Sequence, residues 1–385
     1  MHVNISDYLW FQEGPGVRNT QYTESGVKLL NVANLVDGNV DISNTSRYIS
    51  EEEAYGKYKH FLVDEGDFII ASSGIKVEYF DKKMGFVSAD QLPLCMNTST
   101  IRFKVLDESK LNIRYFMYYL KSDEFKEQLA RQITGSAQLN FGPSHFKKMT
   151  MPIVGLAEQN DLVSKLDHVD SLITVRREQL AKLDELVKSR FIELFGDPKT
   201  NNKEWRMNTF ADICTVRQGL QIPISKRLTQ YEEGCYEYIT VAYLHGSKER
   251  EYIKNPKSSV ICTEEDVLMT RTGNTGMVIT NVAGAFHNNF FLIDFDRTRY
   301  NKVFLVEYLN LDLIQSEIKR RAGTSTIPDL NHGEFYAISI YEPPVELQKQ
   351  FAAFVEQTDK SKFEIQQSLE KLETLKKALM QKYFG

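Results

Sequence analysis

The run Arg271-Thr272-Gly273-Asn274-Thr275-Gly276 has the glycines to cradle a phosphate, but it lacks the lysine and the helix start of a phosphate loop. It is expected to be a loop at a strand end that presents polar side chains. Asp81-Lys82-Lys83 carries the residue types of a nuclease centre, yet it lies in a polar stretch and suits a solvated turn. The sequence has no Gly-x-Gly-x-x-Gly after a strand, no Gly-x-Ser-x-Gly and no His-Glu-x-x-His. None of the seven histidines has the spacing of a metal pair. Cys95, Cys214, Cys235 and Cys262 form no Cys-x-x-Cys pair, and three of them fall in one half. That excludes a disulfide framework and a structural zinc site, and points to buried thiols in a cytoplasmic protein. No catalytic residue, metal or cofactor is expected in this chain.

What the polar loops do offer is a set of groups able to hydrogen-bond base edges: Arg, Lys, Asn, Gln, Ser and Thr. In the first half these are Arg18, Asn19 and Gln21, then Ser72, Ser73 and Lys76, then Lys82 and Lys83, with Gln138 and Asn140 in a later turn. In the second half they are Arg217, Gln218 and Gln221, Lys226 and Arg227, Arg271 and Asn274, and Asn288 and Asn289. Arg320, Arg321, Thr324 and Ser325 follow. Bulk charge does not favour nucleic acid, since the net charge is −5 and no segment is a basic arm. The DNA-contact reading therefore rests on local loops.

The elements that must hold these loops occur twice. Shifted by 189 residues, positions 107–196 align with 296–385 without a gap and share 17 identities in 90 positions. Among them are Asn112/Asn301, Tyr119/Tyr308, Gln159/Gln348, Leu183/Leu372 and Phe195/Phe384. Chance would give about five. Upstream, Asp67–Gly74 matches Asp266–Gly273 and Gly14 matches Gly219, but with gaps. Constant length indicates a packed frame, and variable length indicates surface loops that carry function.

Each copy ends in a long amphipathic helix. The first has apolar residues at Leu162, Leu166, Val169, Ile173, Leu180, Leu183 and Val187, interrupted at Arg176. In the second the seam is Phe351, Val355, Ile365, Leu369, Leu372 and Leu379, interrupted at Thr358, Lys362 and Lys376. These are heptad steps. Helices of about 37 residues, roughly 55 Å, need an equally long partner. The expected solution is that they pair antiparallel, with Leu166, Ile173, Leu180 and Leu183 facing Phe351, Ile365, Leu369 and Leu372. The globular parts are expected to be mixed α/β (α+β). Strands are predicted at Lys28–Val36, Asp67–Ala71, Ile101–Val105, Asp266–Thr270, Met277–Val282 and Phe290–Phe295, and helices at Tyr115–Leu129 and Val303–Arg320. Glu13–Tyr22, Ser73–Ala89 and Gly219–Gly234 are expected to be loops.

Thr134-Gly-Ser-Ala-Gln138, Pro152 through Gln159, Leu180-Ala-Lys-Leu-Asp-Glu-Leu186 and Phe195-Gly-Asp197 resemble the conserved-helix region of type I restriction–modification specificity subunits. Pro343 through Gln348, continuing to Phe384-Gly385, resembles the same family's C-terminal conserved helix. Trp205 and Phe210-Ala-Asp-Ile213 resemble the start of a second target-recognition domain. Val154-Gly155 and Tyr341-Glu342 depart from the proline-containing steps common before the helices.

The resemblance implies target-recognition domains at 1–152 and 198–342, and conserved helices at 153–197 and 343–385. It also implies a non-catalytic subunit whose two domains each bind one half of a split, asymmetric site in double-stranded DNA. The helices would set the spacing and dock two modification subunits. Those partners would use S-adenosylmethionine, and restriction subunits would use ATP and Mg. A fused methylase–nuclease partner, or a coiled-coil adaptor binding protein instead of DNA, are the alternatives. No apolar run approaches the roughly 18 residues of a membrane helix, and the N-terminus has no signal-peptide pattern. The expected location is the cytoplasm.

Overall fold

The computed structural model describes residues 1–385 except 75, 133–140, 245, 247–248 and 324–327. The chain divides into two units. The first is Met1–Arg176 with Ser368–Gly385, and the second is Arg177–Gln367.

In the first unit β1 (Leu9–Glu13), β2 (Phe68–Ala71), β3 (Met84–Phe86) and β4 (Thr100–Val105) form an antiparallel sheet in the order β1-β4-β2-β3. The alternation Ile101, Phe103 against Phe68, Ile70 buries one face on α1 (Ile113–Leu120) and α2 (Asp123–Gln132), and Phe103 lies 5.1 Å from Phe116. A smaller sheet pairs Val27–Leu30 with Tyr48–Ile49 and Leu94–Met96. The first long helix, α3, is Leu156–Phe195.

The second unit repeats the plan. β5 (Cys214–Gln218), β6 (Val267–Thr270), β7 (Val278–Ile279) and β8 (Phe290–Phe295) are ordered β5-β8-β6-β7, and α4 (Lys302–Asn310) and α5 (Asp312–Arg321) follow. The second long helix, α6, is Val345–Phe384.

Several sequence expectations need correction. Lys28–Val36 is not one strand, because a 3-10 turn at Val32–Asn34 breaks it and the Asn34 side chain accepts from Asn31 N–H at 2.8 Å. Met277–Val282 shortens to Val278–Ile279, since Asn281 turns out with φ +58. The two predicted helices after the sheets are each broken, at Ser122 and at Leu311, which are equivalent positions. Ser122 Oγ accepts from Phe125 N–H, and Leu311 is extended. Ser73–Ala89 is not all loop, since Met84–Phe86 pairs with Phe68–Ile70.

The long helices are each 40 residues. In each unit the portions present run in opposite senses. In the first unit Asp170 binds Lys376 at 2.6 Å, Arg176 Nε donates to Ser368 at 3.2 Å, and Phe384 packs 5.0 Å from Tyr115. In the second, Asp184 binds Lys362 at 2.6 Å, and Phe191 and Phe195 each lie 5.4 Å from Phe351. The helix pair is thus an antiparallel coiled coil. Leu166, Ile173, Phe351 and Leu369 are buried, and Leu180, Leu183, Ile365 and Leu372 are half-buried. Facing partners differ from the expected pairing at the ends: Leu166 packs in the core with Phe384, Leu379 and Met380, while Phe351 meets Phe191 and Phe195.

Gln159 and Gln348, both fully buried, hold the frame together. Gln159 Oε1 accepts from Asn112 N–H at 2.9 Å, and its amide donates to the carbonyls of Lys110 and Val154 at 2.9 and 2.8 Å. Gln348 makes the same three bonds, with Asn301 N–H, Arg299 and Pro343, at 2.8, 3.0 and 2.8 Å. Gln348→Leu keeps the volume but leaves these three backbone groups enclosed and unpaired, each of which costs about 1–3 kcal/mol. Urea unfolding is expected to show a loss of at least about 1 kcal/mol for this variant. A midpoint equal to wild type would show that the glutamine is not the clasp.

Candidate nucleic-acid interface

β1 and β2 are both antiparallel to β4, so they leave the sheet at one edge, beside the start of β4. β5 and β6 leave the second sheet likewise, beside the start of β8. Gly14 N–H donates to Thr100 O at 2.9 Å, and Gly219 N–H donates to Phe290 O at 3.2 Å. A Cβ at Gly14 would meet Asn97 O at 2.0 Å, and one at Gly219 would meet His287 O at 2.3 Å, so only glycine permits this close crossing. Ser72 N–H donates to Ser99 O at 2.8 Å and Ser72 O accepts from Phe141 N–H at 3.0 Å. Arg271 repeats both bonds, with Asn289 O at 2.7 Å and Leu330 N–H at 2.9 Å. The chain returning from α2, and from α5, is therefore stitched to the strand-end loop. Among the described residues, the polar stretches that begin at Gly14, Ser72, Gly219 and Arg271 leave from this edge.

Individual side chains fare differently. In the first unit Arg18, Asn19, Lys76 and Lys82 are exposed and Ser73 is half-exposed. Ser72 is 1% exposed and cannot reach a base in this conformation. Gln21 is turned inward, donating to Glu53 at 2.7 Å and Tyr58 Oη at 3.0 Å. Lys83 Nζ donates to Leu35 O at 2.8 Å. Gln138 and Asn140 lie outside the described residues.

In the second unit Gln218, Lys226, Asn274 and Arg320 are exposed. Asn288 Nδ2 donates to Gln221 Oε1 at 3.3 Å, and Asn289 Oδ1 accepts from Thr272 at 3.0 Å. Four arginines are held by the protein. Arg217 donates to Ser259 O at 3.3 Å. Arg227 binds Ile222 O and Glu251 at 3.0 and 2.8 Å. Arg271 grips Asp329 through two bonds of 2.9 and 2.7 Å. Arg321 binds Glu317 and Glu334 at 2.9 and 3.1 Å. For Gln21, Ser72, Lys83, Arg227 and Arg321 the structure assigns a framework contact in place of an open one. Thr324 and Ser325 lie outside the described residues.

Two clefts were missed in the sequence. One, about 440 Å³, is lined by Val36, Asp37, Gly74, Lys76, Tyr79, Lys82 and Lys83 in the first unit. The other, about 340 Å³, includes Arg227, Tyr238, Tyr243, Glu251, His287 and Asn289 in the second. The aromatic residues Tyr79, Tyr238 and Tyr243 carry no distinguishing pattern in the sequence. All four cysteines are buried, with burial pushing the Cys95 and Cys214 thiols up to about 12. Among the described residues no group of three or more His, Cys, Asp or Glu could hold a metal ion. No described helix is long and apolar enough to cross a membrane.

Residues 23–185 and 202–377 each match the family described as the type I restriction modification DNA specificity domain. Over 190 residues the chain is 23% identical to the type I restriction enzyme MjaVIII specificity subunit of Methanocaldococcus jannaschii. That alignment covers 48% of this chain and 43% of the relative. The fold is similar to the crystal structure of the type I restriction-modification system S subunit from M. genitalium, with TM-score 0.61, 16% identity, and coverage of 100% of this chain and 96% of that one. A structure that addresses complex assembly and conformational transition of the type I R-M system is similar with TM-score 0.58 and 16% identity, covering 100% of this chain and 97% of that one.

Protonation will register at this edge. Burial, with the Arg271 charge behind it, holds His332 below the ordinary imidazole value, and burial with Arg227 does the same for His287. The folded chain therefore takes up these protons less readily than the unfolded chain. Their contribution to stability is intact above about pH 6.5 and is lost as pH falls below it. Unfolding of the wild type and of His332→Gln at pH 7.5 and 5.5 is expected to show a smaller acid loss in the variant. An equal or larger loss in the variant would refute the assignment.

Proposed function

Because the chain belongs to the family of type I restriction–modification DNA specificity subunits, we infer that it is the recognition subunit of such a complex and carries no catalysis of its own. Each unit binds one half of a bipartite, asymmetric site in double-stranded DNA. The supporting observation is a repeated frame with unlike loops at the same sheet edge: residues 72–83 join β2 to β3, but residues 271–277 suffice to join β6 to β7. One frame with two sets of loops suits two different half-sites.

The paired helices hold the half-sites apart and dock two modification subunits. Half-sites one turn apart lie about 34 Å from each other, within the reach of a 40-residue helix at about 1.5 Å per residue. S-adenosylmethionine belongs to those partners, and ATP and Mg to the restriction subunits. Base contacts fall to the side chains left outward, including Arg18, Asn19, Gln218, Lys226, Asn274 and Arg320. Arg271 joins them only if DNA displaces Asp329.

Methylome sequencing of a host with and without the gene tests this reading, which fails if no bipartite motif depends on the chain. Two variants sharpen it. Arg271→Ala is expected to change only the half of the motif contacted by the second unit. A change confined to the other half would refute the assignment of units to half-sites. Four residues inserted between Arg176 and Arg177, matched by four between Gln367 and Ser368, lengthen both helices by about 6 Å. Both half-sites are expected to persist with a spacer about two base pairs longer, and an unchanged spacer would remove the ruler role.

A further inference from the structure

The lysine-lined cleft of the first unit begins at Gly74, at the same sheet edge as the polar loops. It is formed by the longer β2–β3 connection, whose 3-10 turn Val77–Lys82 is rigidly seated. Phe80 is fully buried, 5.4 Å from Phe125 and 5.9 Å from Phe141, and Lys83 ties the end of the turn to Leu35 O. Tyr79, beside that anchor, is 53% exposed, and Lys82 Nζ stands 6.0 Å from its ring. The lining carries three lysines and a single carboxylate, Asp37, 4.0 Å from Lys82. A fixed turn that presents an aromatic ring between cations is ordered before any ligand arrives. Ordering it on binding would therefore cost little.

We propose that this cleft is a sequence-independent strand-holding subsite, which seats a DNA phosphodiester between Lys76 and Lys82 with the adjoining sugar against the Tyr79 ring. An ammonium is a point charge that neutralises a phosphate without the planar fork suited to base edges. A ring against the deoxyribose meets the same group in every nucleotide, and sugar and phosphate contacts carry no sequence information. The short connection at 271–277 leaves the second unit without an equivalent turn. The two units thus differ in how they hold the backbone as well as in which bases they contact. The proposal rests on the DNA-binding reading above.

The test is a salt titration of binding by the full chain, alone and co-purified with its modification subunits. The probes are two duplexes of equal length, one bearing the motif found in the methylome and one scrambled. In Lys76→Gln/Lys82→Gln, log affinity against log salt is expected to flatten by about 0.9, the contribution of one phosphate contact. Both duplexes should weaken together and the methylated motif should not change. Tyr79→Ala is expected to weaken both about four-fold, as for loss of about one buried CH2 of sugar, whereas Tyr79→Phe keeps the ring and stays near wild type. Unchanged thermal unfolding of these surface variants separates the effect from misfolding. A wild-type slope in the double variant, or a loss confined to the motif duplex, overturns the subsite while leaving the DNA reading intact. A wild-type complex that binds neither duplex overturns both.

Discussion

Where each long helix begins, the loop entering the short helix pair turns its backbone inward, and three polar groups there have no strand or helix to satisfy them. One glutamine amide supplies all three bonds, at Gln159 and again at Gln348. An amide is the side chain that can accept once and donate twice from one plane. The clasp ties α1 to α3 and α4 to α6, and so fixes each sheet against its helix. Tyr119 and Tyr308 repeat the logic, donating to the carbonyls of Thr150 and Ser339 at 2.6 and 2.8 Å. Because these bonds recur at a constant offset, the gapless part of the repeat is the part that cannot change length.

The helix seam explains how an interrupted heptad can still pair. Lys362 and Lys376 occupy seam positions that would ordinarily be apolar, and each is half-buried. Asp184 and Asp170 answer them from the facing helix. Such pairs contribute modestly to stability, since desolvation offsets most of the attraction. Their effect is on register: a shift of one turn would strand each lysine against leucine, while an apolar seam alone would tolerate sliding. The ends of the seam are closed by aromatic rings, with Phe384 on Tyr115 and Tyr119 in the first unit and Phe195 on Phe304 in the second.

This division between frame and edge governs what could be read in advance. The repeat, the helices and the strands at Phe68–Ala71, Val267–Thr270 and Phe290–Phe295 follow from periodicity and internal matching, because burial on one face leaves a period. The breaks at Ser122 and Leu311 were hidden, since apolar spacing continues through both. At the edge, residue type picks out polar loops but does not tell which of their side chains the fold leaves open. Arg271 and Arg227 have the chemistry of base readers, yet Asp329 and Glu251 hold them. Those ion pairs join residues 58 and 24 positions apart, and no local pattern announces them. Tyr79 was overlooked for the converse reason: its importance comes from Phe80 being buried beside it.

The copies also diverge inside their sheets, in a way that bears on the edge. Arg102 on β4 pairs with Ile69, and at the matching place in the second sheet Leu292 pairs with Leu268. Arg102 is buried and donates to Asp67, Gln12 and the carbonyls of Leu62 and His60. One guanidinium thus gathers the chain before β2 onto the sheet, a task that apolar packing around Leu292 performs in the second unit. Directional bonds hold a long connection in one conformation where packing alone would leave it several. The first unit, with its longer loops, is the one that uses them. Variable loops can be accommodated on a constant frame only when something local fixes their ends, and each copy has found a different means of doing so.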